Sequence, residues 1–347
     1  MGDAANLQVP FAYPPQQPGP PSTRNWYQEL LDQPECANDP AKIQEAYEYF
    51  RTASLERSIG LFLPTRQTDA EGDISRELPA PQRITPDEAL VRYLELQHGG
   101  AEGAHEIEEL SKEDVNCLVI WTRPDPPTMD LLVDIQRRLS DFVGLDLHLT
   151  PKSSLHLSII ELSHRHPVSH LRSVYTYMGD SRLSQLLDIP RNEYNQHQHI
   201  ARLVNPKLLF DKLGVAISFV PAADDAYTYH HLRNQLHTMA LSTGVSIDTC
   251  YTAPIAHVTL GRFVGTGFLN GGWGRSGDEG RREDVEKEVM ERLVGLIEEI
   301  NKELESVSWG EFVWEVGRRA ALEVQLGYIK FGRRVEEAEI VGEPIGM

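Results

Sequence analysis

The sequence predicts an α+β fold, on three observations. A strand–helix–strand pattern occurs twice, over 116–161 and over 213–263. Each unit closes on an apolar strand carrying a short His-x-(Ser/Thr) string. Two further segments, 311–316 and 321–331, follow a long charged helix and look like a closing pair of strands.

The elements read as follows. Residues 1–24, with PFAYPPQQPGPPSTR, are Pro-rich and read as a disordered tail. Residues 25–110 form a helical N-terminal extension, with helices over 25–33, 40–57 and 86–97 and a polar loop at 64–81. Thr85 is the expected N-cap of the third helix, with Pro86 in its first turn. Cys117 to Trp121 is a short apolar run stopped by prolines, which reads as a buried strand. Over 128–143, Leu131, Leu132, Ile135, Leu139 and Phe142 recur at helical spacing. A strand over 155–161 follows, then helices over 168–178, 181–188 and 192–203. The second unit has a strand at 214–220, a helix at 226–242 and a strand at 255–263. A glycine-rich loop spans 265–280, and 284–306 is a helix with charges paired at i, i+4. The domain is thus expected over 111–335, with a C-terminal tail at 336–347.

Composition sets limits. The 347 residues carry a formal charge of −19, which disfavours coating a long duplex and leaves room for a small or terminal phosphate ligand. No run is long and apolar enough to span a bilayer, so no membrane partner is expected. Cys36, Cys117 and Cys250 are far apart and form neither a disulfide framework nor a CxxC pair. A cytoplasmic or nuclear monomer is the expectation.

The chemistry lies in two strings, Leu155-His156-Leu157-Ser158-Ile159 and Ala256-His257-Val258-Thr259-Leu260. On a strand, residues two apart share a face, so His156 with Ser158, and His257 with Thr259, point away from the apolar set. Cleaving a phosphodiester needs one group to take a proton and one to give it. Imidazole suits both tasks, because its ordinary pKa is about 6.5. The Ser158 and Thr259 hydroxyls can donate to phosphate oxygens. A third string, His148-Leu149-Thr150, is followed by Pro151 and reads as a strand end or turn.

On these residues the chain resembles the 2H phosphoesterase superfamily, which includes 2′-5′ RNA ligase-like proteins and 2′,3′-cyclic nucleotide phosphodiesterases. LHLSIIELSH, AISFVPA, YTYHHLR and APIAHVTLGRF are most similar to its fungal branch. The resemblance covers roughly 115–331 and departs from the commoner pattern only in having Ser158 for Thr. It implies two lobes related by a pseudo-twofold, each an antiparallel sheet flanked by helices, with the active-site cleft between them. It also implies His156 and His257 as acid and base, His257 favoured as the base, and Ser158 and Thr259 as phosphate ligands. The expected activity is metal-independent opening of 2′,3′-cyclic phosphates on nucleotides or RNA 3′ ends, with no cofactor. RNA end processing with 2′-5′ joining, and non-catalytic nucleotide binding, are the alternatives.

Secondary candidates are weaker. Tyr229, His231 and Arg233, near the start of the second unit's helix, can contact a base or phosphate and equally suit ordinary packing; Phe219 can line a base pocket but better suits the core. Arg262 falls on the strand face opposite His257 and reads as a brace. His164, His166 and His170 match no known zinc spacing, so no metal is expected. The glycine-rich loop lacks the Gly-Lys-Ser/Thr of a phosphate cradle.

Overall fold

The computed structural model describes residues 10–14, 19–64, 80–249, 254–270, 279–306 and 312–346. The N-terminal part holds β1 (Gly19–Ser22), α1 (Trp26–Leu31), α2 (Pro40–Phe62), α3 (Glu88–His98) and α4 (Gly100–Glu109). Then come β2 (Asn116–Thr122), α5 (Pro126–Val143), β3 (Leu147–Leu149), β4 (Leu157–His166), α6 (Val168–Met178), α7 (Asp180–Leu187) and α8 (Ile189–His197). The second half has β5 (Arg202–Phe210), β6 (Gly214–Pro221), α9 (Tyr229–Ser242), β7 (Ile247–Thr249), β8 (His257–Phe263) and α10 (Glu279–Leu304). It ends in β9 (Val313–Glu315), β10 (Leu322–Gly327) and β11 (Ile340–Val341). No helix among the described residues is long and apolar enough to cross a membrane.

Local chemistry explains the central elements. β2 is buried along its whole length because it lies between β10 and β4, which is why it reads as a continuous apolar run. α5 starts where the Asp125 carboxylate accepts from the Thr128 N–H and Pro126 sets the first turn; it stops at Gly144, whose φ is 69°. Its Leu131, Leu132, Ile135, Leu139 and Val143 enter the core. Each such side chain stabilises the fold by about 1.5–3 kcal/mol relative to exposure.

The fold is α+β, with two principal antiparallel sheets flanked by helices. One sheet has the order β11-β10-β2-β4, the other β3-β8-β6-β5-β9. In each sheet the two strands of the internal repeat are neighbours, β2 with β4 and β6 with β8. The short strands cross between the halves. β3 follows β2 and α5 in sequence but pairs with β8, and β7 follows α9 but lies beside β4. Gln136 of α5 seals the first exchange, donating to both Thr150 O and Leu260 O at 2.8 Å.

Several expectations are corrected. Residues 19–22 form β1, antiparallel to β7, and Tyr13 is buried against the His230 ring, so this part of the Pro-rich segment is docked on the fold. Residues 1–9 and 15–18 of that segment lie outside the described residues, as do 65–79 of the polar loop and 271–278 of the glycine-rich loop. The expected helix over 192–203 ends at His197, and 202–210 is a strand. A register shift between Val204 and Lys207 accommodates Pro206 and breaks the alternation that would have marked the strand. Asp87, not Thr85, caps α3, its carboxylate accepting from the Leu90 N–H. The expected C-terminal tail contributes β11 to the first sheet.

Candidate functional site

His156 immediately precedes β4 at the edge of the first sheet. Its Nδ1 lies 2.9 Å from Ser154 O. A carbonyl only accepts, so Nδ1 carries the proton and the neutral ring presents its lone pair on Nε2. The ring lies against Trp121, with centroids 3.8 Å apart. Trp121 is itself held by its indole N–H on the Glu323 carboxylate and by the Arg123 guanidinium over its ring. Arg123 completes the circuit with a 2.5 Å ion pair to Glu323.

β8 supplies the other half. Ser218 of β6 pairs with His257 and Ala216 with Thr259, but the next partner of β6, Val215, pairs with Gly261. The skipped residue, Leu260, marks a bulge that reverses the alternation. Arg262 is thereby returned to the face of His257 and Thr259, where the half-buried residues are 257, 259 and 262. This corrects the reading of Arg262 as lying on the opposite face. Gly261 is needed here: a Cβ would stand 3.0 Å from His148 O and 3.2 Å from the Leu147 side chain as β3 closes on β8.

A small cleft results, with about 50 Å³ open to water. His156, Thr259, Arg262, His148, Thr150 and Lys330 give it polar walls, and Leu90, Phe331 and Gly332 close it. Gly332, at φ 78°, packs against Ser154 where a Cβ would meet Ser154 O at 2.6 Å. Asp87, nearly fully buried, pairs with Arg262 at 3.0 Å and Lys330 at 3.1 Å. Burial works against its charge, but Lys330 and Arg262 outweigh it and hold the carboxyl below the ordinary range. The space takes a phosphate-sized group, roughly four water-sized spheres at about 12 Å³ each. A nucleoside requires α3 and residues 328–334 to give way.

Both imidazoles rest neutral. Burial lowers His156 to about 3; its bond to Ser154 opposes this, and the charges of Arg123, His257 and Arg262 add to it. Burial likewise lowers His257 to about 4, helped by Arg262 and Arg233 and opposed by Asp211 and Glu161. The influence of His257 on His156 and their shared dependence on Arg262 place the two rings in one electrostatic site. His257 and Ser158 are half-buried beside the cleft rather than on its wall, and Ser158 is the cross-strand partner of Trp121.

The weaker candidates take other places. Arg233 is fully buried, and donates to Ile159 O at 2.8 Å, Tyr27 Oη at 2.7 Å, and Tyr47 Oη and Ile255 O at 3.2 Å. It ties both histidine strands to α1 and α2. Tyr229 is buried, its hydroxyl donating to Ser158 O at 3.5 Å. His231 completes the capping box of α9 through the Thr228 N–H, and its Nε2 meets Asn38. Phe219 is buried against Phe312 and Trp314. None of the four lines the cleft. A larger groove of about 770 Å³ runs along α2, but Glu45, Glu48 and Glu56 line it, which opposes a phosphate.

Sequence reasoning missed His148, Thr150, Arg262, Lys330 and Trp121. The first two stand in a His-x-Thr string identical in form to the others, and Gly261 within a strand was a visible signal of the bulge. Lys330 and Trp121 carry no local signal. No protein family profile matches the chain, and neither the curated proteins nor the solved structures yield a match.

Proposed function

We propose that the protein is a phosphodiesterase that opens 2′,3′-cyclic phosphates of nucleotides or RNA 3′ ends, with His156 and His257 as its acid–base pair. The observation that carries the reading is a phosphate-sized, cation-lined cleft walled by His156, Thr259 and Arg262, with His257 two residues from Thr259 on the same half-buried strand face. His156 acts as the base: its protonated Nδ1 is engaged with Ser154 O, so Nε2 is the free site. His257, the less depressed of the two, retains a proton more readily and acts as the acid. This reverses the assignment that the resemblance favours. A water oxygen attacks phosphorus while His156 Nε2 takes its proton. The P–O bond to one ribose oxygen breaks as His257 protonates that oxygen. Thr259, Arg262 and Lys330 hold the non-bridging oxygens, with Thr150 beside them. Asp87, which occupies those cations in the resting protein, exchanges with the incoming phosphate. No step is routed through a metal.

The test is turnover of nucleoside 2′,3′-cyclic phosphates followed by phosphorus NMR, which also identifies the product isomer. Turnover lowered by roughly 10²–10⁴ in His156→Ala and in His257→Ala is expected; undiminished turnover in either overturns the assignment. A second reading, anion binding without turnover, is favoured by the neutrality of both rings, and the same experiment detects it as saturable binding with no product. Joining of 2′-5′ ends uses the same residues in reverse, and a ligated product would reveal it.

A further inference from the structure

A second cluster lies on β2 and β4, away from the acid–base pair. The ladder sets Cys117 opposite His164 and Val119 opposite Glu161. Leu162 is skipped in the pairing, and this bulge brings Glu161 and His164, three residues apart, onto one side of β4. His164 Nδ1 lies 3.6 Å from Cys117 Sγ and 2.5 Å from Glu161 Oε2. All three donor atoms fall within 4.8 Å of one another, the one such group of three among the described residues.

We propose that Cys117, Glu161 and His164 form a zinc(II) site with three protein ligands and a water in the fourth position. One ring nitrogen here faces both a sulfur and a carboxylate oxygen, and a single N–H cannot point at both. Glu161 Oε2 is shielded from solvent and faces His164 Nδ1 at 2.5 Å. A cation in place of the proton serves all three donors. Bond lengths of about 2.3 Å to sulfur and about 2.05 Å to nitrogen at a tetrahedral angle set those atoms about 3.6 Å apart. The Sγ to Nδ1 spacing already has that value, and the carboxylate has only to retreat by somewhat less than about 1 Å. Thiolate, imidazole and carboxylate together suit zinc better than a hard cation. Binding displaces the proton from His164 Nδ1 and the Cys117 thiol proton, both of which pass to solvent. Support comes from Asp248, whose Oδ2 accepts from the His164 backbone N–H at 2.7 Å and meets His166 Nε2 at 3.0 Å, fixing the end of β4. Five strand positions, roughly 15 Å, separate Glu161 from His156; the Glu161 charge reaches His257, but the cobalt spectrum reads the metal site without any turnover, so its test stands apart from the phosphodiesterase reading.

The test is titration of chelator-stripped, full-length protein with cobalt(II), then displacement by zinc(II). One equivalent should produce a thiolate-to-cobalt charge-transfer band with intense tetrahedral d–d bands, and zinc should abolish both. Cys117→Ser should lose the charge-transfer band, and Glu161→Gln and His164→Ala should weaken binding by roughly tenfold or more. Cys36→Ser should leave the spectrum unchanged, with circular dichroism verifying every fold. Absence of the band at one equivalent, its survival in Cys117→Ser, or its loss in Cys36→Ser overturns the site.

Discussion

The resting protonation states of His156 and His257 dictate an unusual separation between two pH profiles. With a pKa of about 4, His257 carries its proton at pH 7 in about one molecule in a thousand. Since kcat/KM reports the free protein, it should fall about tenfold per pH unit above about pH 4. Bound substrate brings a negative charge. At about 4 Å and an effective dielectric constant of about 20, that charge favours the imidazolium by about 4 kcal/mol. At 1.36 kcal/mol per unit this is about three pH units, which carries His257 to near pH 7 in the complex. The descending limb of kcat should therefore stand about three pH units above that of kcat/KM. Steady-state kinetics with a nucleoside 2′,3′-cyclic phosphate, from about pH 3 to about pH 9, measures both limbs. Arg262→Met removes a cation that depresses both rings, so it should move the kcat/KM limb toward neutrality while raising KM. Coincident limbs, or a limb that stays in place in Arg262→Met, would refute the reasoning.

Further outcomes follow from the same geometry. His156→Ala and His257→Ala should each lower turnover by roughly 10²–10⁴ with the fold intact, while Thr259→Ala should cost at most about 3 kcal/mol of barrier, all read from single-turnover rates. Arg233→Met strands the carbonyls of Ile159 and Ile255 and two tyrosine hydroxyls, so chemical denaturation should report a loss of roughly 3–5 kcal/mol; an unchanged midpoint would remove its role as the tie between the strands. Acid should destabilise the fold through His230 and His237, which burial and Arg233 lower to about 3 and about 4. Their folded pKa values lie below the unfolded value of about 6.5, so the unfolded chain binds more protons between them. The stability they confer is complete above about pH 6.5 and is lost as pH falls toward 4, up to about 4 kcal/mol by pH 5, measurable as a lower urea midpoint at pH 5 than at pH 7.

Much of the fold was legible because pattern and period are local. The buried run of β2 and the apolar stripe of α5 announce themselves, and the repeated His-x-(Ser/Thr) strings marked the strands β4 and β8. What escaped depends on register. The bulge at Leu260 reverses the direction of Arg262, and the shift around Pro206 hides β5; in both cases strict alternation misleads. His148 and Thr150 were visible as a string but not as part of the site, because only the crossing of β3 to β8 brings them there. Tyr229, Arg233 and Phe219 carry side chains suited to a ligand, yet burial claims them, and sequence alone does not reveal which face of a helix meets a neighbour.

The crossing of β3 to β8 and of β7 to β4 makes the two halves mutually dependent. Severing the chain between α8 and β5 would leave each fragment with a hydrogen-bonding edge whose cover resides in the other, an invitation to adhesion between copies. Contacts such as Leu147 with Phe263 must also wait for more than a hundred intervening residues, so assembly should be slow and all-or-none rather than lobe by lobe.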